Sequence, residues 1–98
     1  MAYQLSEEAS ADVHEIIGWV ADEHGDEAAH RLFEALDEKF EAIGAGLVVG
    51  HVRRDVQTIR AVRFTKAGNY MITFDPETNE IVRVVHGARD FPTVFAGL

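Results

Sequence analysis

The sequence has no cysteine, two prolines and one tryptophan, and nowhere runs to about 18 consecutive apolar residues. Without cysteine there are no disulfide staples and no thiolate metal sites, which suits a reducing compartment. Without a long apolar run there is no candidate membrane-spanning helix. The opening Met1-Ala2-Tyr3-Gln4-Leu5-Ser6-Glu7-Glu8 lacks the basic-then-apolar order of a signal peptide, so a cytoplasmic location is expected. Basic residues are scarce in the first half. Residues 1–45 hold twelve Asp/Glu against two Lys/Arg, a balance of −10, and residues 46–98 hold seven Lys/Arg against five Asp/Glu, a balance of +2. An acidic body of this kind repels phosphate, so no direct nucleic-acid binding is expected. Any surface for an anionic partner should come from the second half.

What remains is ordinary for a globular chain. With 47% hydrophobic and 27% charged residues over 98 positions, one domain spanning residues 1–98 is expected, with no room for two separate cores. A domain this small buries only about 60–70% of its unfolded surface, so a bound partner can supply much of its working stability.

Tyr3-Gln4-Leu5 alternates like a short strand. Ser6 then offers an N-cap, with Glu7 and Glu8 in the first turn where the helix dipole favours negative charge. Val13, Ile16, Ile17 and Val20 recur at helical spacing, and Gly25 suits a C′ position, which predicts a helix over 7–23. Asp26 offers a second N-cap. Ala29, Leu32, Phe33, Leu36, Phe40 and Ile43 form an apolar stripe up to Gly44, which predicts a helix over 27–43, packed antiparallel to the first across a very short junction. Leu32 and its neighbours on the stripe are expected in the core.

Gly44, Gly46 and Gly50 break this pattern, and a crossing connection with a turn near Arg53-Arg54-Asp55 follows. The period then becomes two. Ile59–Phe64, Tyr70–Phe74 and Ile81–Val85 read as strands joined by turn residues 66–69 and 75–79, so they form an antiparallel meander. The expected fold class is α+β in the order β-α-α-β-β-β, with one sheet face under the helices and the other partly solvated.

Three stretches carry a family resemblance. They are residues 3–13 leading from strand to helix, residues 25–33 opening the second helix, and Ile81-Val82-Arg83-Val84-Val85-His86-Gly87-Ala88-Arg89-Asp90 at the end. Together they resemble the RelE/ParE toxin superfamily, and the tail resembles its ParE branch. The resemblance implies a toxin neutralised by a ParD-like antitoxin in a hetero-oligomer. The antitoxin's C-terminal segment would wrap the toxin, laying a helix across the helix hairpin, a mode that suits an apolar groove. Several ParE-like members poison DNA gyrase. The RelE branch instead cuts mRNA on the ribosome, and a non-toxic relative is a third possibility. Antitoxin tails are often acidic, so the resemblance also implies salt links to arginines of the second half, such as Arg83 and Arg89.

The candidate binding residues are Trp19, Arg60, Arg63, Arg83, His86, Arg89 and Asp90. With Val82 and Val84 facing the helices, Arg83 would face the open side of the sheet beside Arg60 or Arg63. That array either grips an anionic partner or forms a solvated charged face. His86, Arg89 and Asp90 either form a recognition element or tie down the tail beyond Gly87. Trp19 lies beside the helix-one stripe, where it either anchors a partner helix or packs at the core edge. No metal and no cofactor are expected: His14, His24, His30 and His51 lack ligand spacing, and no glycine-rich phosphate loop or Ser/His/Asp context occurs. No catalytic residues are assigned. His86 alone keeps acid–base chemistry in view.

Overall fold

A computed structural model describes residues 3–56, 58 and 60–96. The order is β1 (Gln4–Leu5), α1 (Glu7–His24), α2 (Asp26–Gly44), β2 (Arg63–Ala67), β3 (Tyr70–Phe74), β4 (Glu80–His86) and a short α3 (Phe91–Val94). The strands form one sheet in the order β1-β4-β3-β2. β1 runs parallel to β4, and the other two pairs are antiparallel. This is the α+β arrangement that the sequence predicts.

The Ser6 hydroxyl accepts the Ala9 N–H at 3.0 Å and opens α1 as an N-cap. Gly25 alone separates the two helices. Its N–H donates to Ala21 O at 3.0 Å, and its carbonyl accepts from Ala29 N at 3.2 Å. It therefore ends α1 and caps α2, and Asp26, expected as the cap, is the first residue inside α2. Gly25 has φ 92° and ψ 165°, outside the left-handed helical well expected for it and in a region that only glycine adopts freely.

β2 begins four residues later than the predicted Ile59–Phe64, and Ile59 lies outside the described residues. The turn shrinks to Gly68-Asn69, which sets Ala67 against Tyr70 and draws Thr65, Lys66 and Ala67 into the ladder. The outer edge of β2 is covered at Phe64 by His51, which exchanges two backbone hydrogen bonds with it. Gly50 precedes that bridge at φ +67°, and a Cβ there would lie 2.9 Å from the Phe74 ring. Between β3 and β4, Asp75 shapes the loop by accepting the Glu77 N–H at 2.8 Å.

The register of β4 contains a bulge. Thr73 faces Arg83 and Phe74 faces Ile81, so Val82 has no counterpart on β3. The extra residue shifts the alternation. Ile81 and Val84 pack toward the helices with Ala9, Leu36, Phe40 and Ile43, whereas Val82 and Val85 pack on the opposite face. The expected facing of Val82 is thus reversed.

That opposite face is closed, not partly solvated. Val62, Phe64, Met71, Val82, Val85, Phe91 and Phe95 form a second buried cluster, with the C-terminal turn laid beneath the sheet. The guanidinium of Arg53 sits 4.0 Å from the Phe91 ring centroid and covers it. Two hydrophobic layers therefore share one sheet, where the length suggested room for one. Leu32 is half-buried against the first layer, and Phe33 is 47% exposed and lies outside it.

Candidate binding surfaces on the helix hairpin

Two concave surfaces flank α1. The larger is a cleft of about 470 Å³ between α1 and the outer side of β4. It is lined by Asp12, Glu15 and Trp19 from α1, Tyr70 from β3, and Arg83, His86 and Arg89 from β4 and its tail. It exists because β1 is only two residues long. Beyond Leu5, Ser6 donates its N–H to Ile81 O at 2.9 Å and its hydroxyl to Val82 O at 2.8 Å, and then the chain turns into α1. Among the described residues, the remainder of the β4 edge has no neighbouring strand.

Asp12 partly fills that gap. Its Oδ2 accepts the Val84 N–H at 2.9 Å, as a neighbouring strand would. The same carboxylate takes Arg83 Nε at 2.7 Å and Nη2 at 3.0 Å. The hydrogen bonds that Arg83 donates to Asp12 hold its guanidinium even more firmly protonated, against the opposing effect of burial. The Arg83 side chain reaches Asp12 on α1, and the expected array with Arg60 or Arg63 does not form. Arg60 instead bonds Asp75 at 3.0 Å and Glu80 at 2.5 Å. Arg63 is half-buried on β2 and makes no ion pair among the described residues.

In the tail, the Nδ1 of His86 accepts the Ala88 N–H at 3.0 Å, which places the proton of a neutral ring on Nε2. The ring meets Tyr70 edge-on at 5.4 Å. Arg89 donates its backbone N–H to His86 O at 3.0 Å, and Asp90 accepts the Thr93 hydroxyl at 2.9 Å. Neither Arg89 nor Asp90 ties the tail by an ion pair among the described residues. Trp19 is 55% exposed and meets His24 edge-on at 5.7 Å. The structure thus brings Trp19, Arg83, His86 and Arg89 to one cleft and leaves Arg60, Arg63 and Asp90 outside it. Sequence reasoning missed Asp12, Glu15 and Tyr70. Asp12 sits off the apolar stripe and looks like any solvated helix acid.

The second surface is a groove of about 320 Å³ on the outer side of the hairpin, lined by Val13, His14, Ile17, Gly18 and Phe33. Phe33 belongs to the predicted stripe by spacing, but at the stripe's edge it faces this groove. Among the described residues, no three His, Asp or Glu side chains come together to hold a metal ion, and no helix is long and apolar enough to cross a membrane.

No curated protein matches this sequence. Among solved structures, a chain described as the chromosomal ParDE TA system from P. aeruginosa is similar, with a TM-score of 0.69 and 18% identity. The match covers 88% of this chain and 95% of that one. At that identity the likeness speaks for the fold. The sequence itself matches, over residues 3–91, the family described as ParE toxin of type II toxin–antitoxin system, parDE. With nearly its whole length matched, the chain belongs to the ParE toxin family.

Proposed function

We propose that this chain is a cytoplasmic toxin that docks on a protein target and inhibits it, DNA gyrase being the first candidate, and that a ParD-like antitoxin neutralises it. The observation that carries this reading is the neutralisation of Arg83 by Asp12 inside the cleft. A phosphate-cleaving site needs cations free to meet developing negative charge. Here the central cation is already paired, and Glu15 adds a second carboxylate to the lining. Exposed Trp19 and Phe33 instead offer the aromatic anchors typical of protein interfaces.

A second reading, a ribosome-dependent mRNA endonuclease, is favoured by one arrangement. His86, Tyr70 and Arg89 line the same cleft, which sets an imidazole, a phenol and a guanidinium together. The two carboxylates weigh against it, because they repel RNA phosphate.

The deciding experiment induces the protein in a bacterial host and follows DNA and protein synthesis separately in the first minutes. An early stop in DNA synthesis with translation continuing is the expected result, and supercoiling by gyrase is then measured directly. An early stop in translation supports the nuclease. No effect on either leaves a non-toxic relative.

A further inference from the structure

Three of the six arginines of the second half are paired within the chain, while Arg54, Arg63 and Arg89 make no ion pair among the described residues. Arg53 is bonded to Asp55, Arg60 to Asp75 and Glu80, and Arg83 to Asp12. The helix hairpin shows the opposite balance. Helical phase, about 100° per residue, sets Glu7, Ala11, His14, Gly18 and Asp22 along one ridge of α1. It sets His30, Glu34, Asp37 and Glu41 along the facing ridge of α2. Val13, Ile17 and Phe33 lie between the ridges as the apolar floor and wall of the groove.

The acids of these ridges lack strong internal partners. Among the described residues, Glu7, Asp22 and Glu41 make no ion pair. Glu34 meets only the exposed imidazole of His30, at 2.6 Å, and Asp37 accepts only the neutral Tyr3 hydroxyl, also at 2.6 Å. Gly18 is the second independent feature. It interrupts the middle of an exposed helix, where glycine weakens the element, and a Cβ there would meet nothing within 4 Å. Packing within the chain therefore does not require it. It leaves bare backbone at the centre of the groove, where a second helix can approach closely.

We infer that this groove takes a cationic amphipathic helix, with its apolar stripe on Phe33, Val13 and Ile17, its backbone over Gly18, and Lys or Arg on both flanks against the acidic ridges. The inference rests on the reading of the chain as an antitoxin-bound toxin and specifies the charge of the antitoxin's helix. Charge of one sign on both ridges gives selectivity, because an acidic helix of the same shape is repelled.

Two fluorescein-labelled helical peptides test it. They share one apolar stripe and carry either Lys or Glu along both flanks, and anisotropy with the full chain is the readout. The Lys-flanked peptide should bind at least about tenfold tighter at about 0.1 M salt, and its advantage should largely vanish near 1 M, where screening shortens to roughly 3 Å. The exposed pair Asp22→Lys and Glu34→Lys, which takes the five ridge acids from −5 to −1, should remove most of the preference. Gly18→Leu should remove binding of either peptide without lowering the melting temperature, and Gly18→Ala gives the same comparison with a smaller side chain. Equal binding of the two peptides, tighter binding of the Glu-flanked one, or binding of neither overturns the inference. If a co-expressed antitoxin rescues growth equally well from the wild type and from the Asp22→Lys/Glu34→Lys chain, the charge assignment fails while the toxin reading stands.

Discussion

Asp12 and Arg83 lie 71 positions apart and are joined by two hydrogen bonds, of 2.7 and 3.0 Å, which clamp α1 to the bulged strand β4. One of the two carboxylate oxygens also closes the strand's edge at Val84 N. The side chains are only 23% and 16% exposed, so the pair stands in a partly desolvated setting where removing one partner is costly.

Asp12→Ala should therefore destabilise the protein by about 2–3 kcal/mol, since it strands both the guanidinium and a backbone N–H. Arg83→Ala should cost less, because the carboxylate keeps the Val84 N–H. A double-mutant cycle read by urea denaturation should show coupling between them of about 1 kcal/mol or more. Strict additivity would mean the clamp is not formed in solution. Loss of antitoxin binding in an Arg83 variant must for this reason be corrected for lost folding stability.

Tyr3 predicts an alkaline limit to stability. Burial, then the hydrogen bond to Asp37, pushes its hydroxyl from 10.0 up to about 12. The folded state thus holds the proton more tightly than the unfolded state does. That contribution is complete below pH 10 and is lost as pH rises toward 12. Tyr3→Phe should flatten the decline in melting temperature over that window. An unchanged slope would assign the decline to other groups.

Thr73 is fully buried on β3, and its hydroxyl makes no hydrogen bond among the described residues. Burying an unpaired hydroxyl costs free energy that valine, of nearly the same shape, avoids. Thr73→Val should raise stability by about 1–2 kcal/mol in chemical denaturation. A loss of stability instead would reveal a partner for the hydroxyl.

Phe91 and Phe95 are each 1% exposed and close the second layer. Phe95→Ala should cost about 3–5 kcal/mol. Against a total of roughly 5–15 kcal/mol for a typical protein, that moves the chain close to unfolding near 37 °C. Thermal melts by circular dichroism read the effect. A small shift would mean that the tail leaves the sheet in solution.

Local signals make the helices and β3 legible in the amino-acid sequence. Stripe spacing, the Ser6 cap and Gly25 place α1 and α2 to within one residue at most ends, because those features act within a turn of the chain. The bulge at Val82 is not legible in the same way. Apolar residues fill both sides of β4, so the alternation that would reveal a slipped register is absent. The paired steps Ile81-Val82 and Val84-Val85 do carry a signal, that of a strand buried on both faces. Their partners Phe91 and Phe95 follow a turn of their own and look like an unstructured tail. For the binding surfaces, Trp19 stands out as a large aromatic beside the helix-one stripe, and His86 and Arg89 stand out by their place in the tail that carries the family resemblance. Asp12 does not, because only the folded chain brings it to Arg83.

The parallel pairing of β1 with β4 sets the time at which this protein can exist. Ser6 bonds the main chain of Val82, 76 residues downstream, and the second layer waits further for Phe91 and Phe95. A chain growing at about 5–20 residues per second makes its helical hairpin seconds before those partners emerge. Folding must then wait until Val82, Phe91 and Phe95 have been made. In that interval the hairpin is already on offer to a binding protein, so capture at birth can precede completion of the fold.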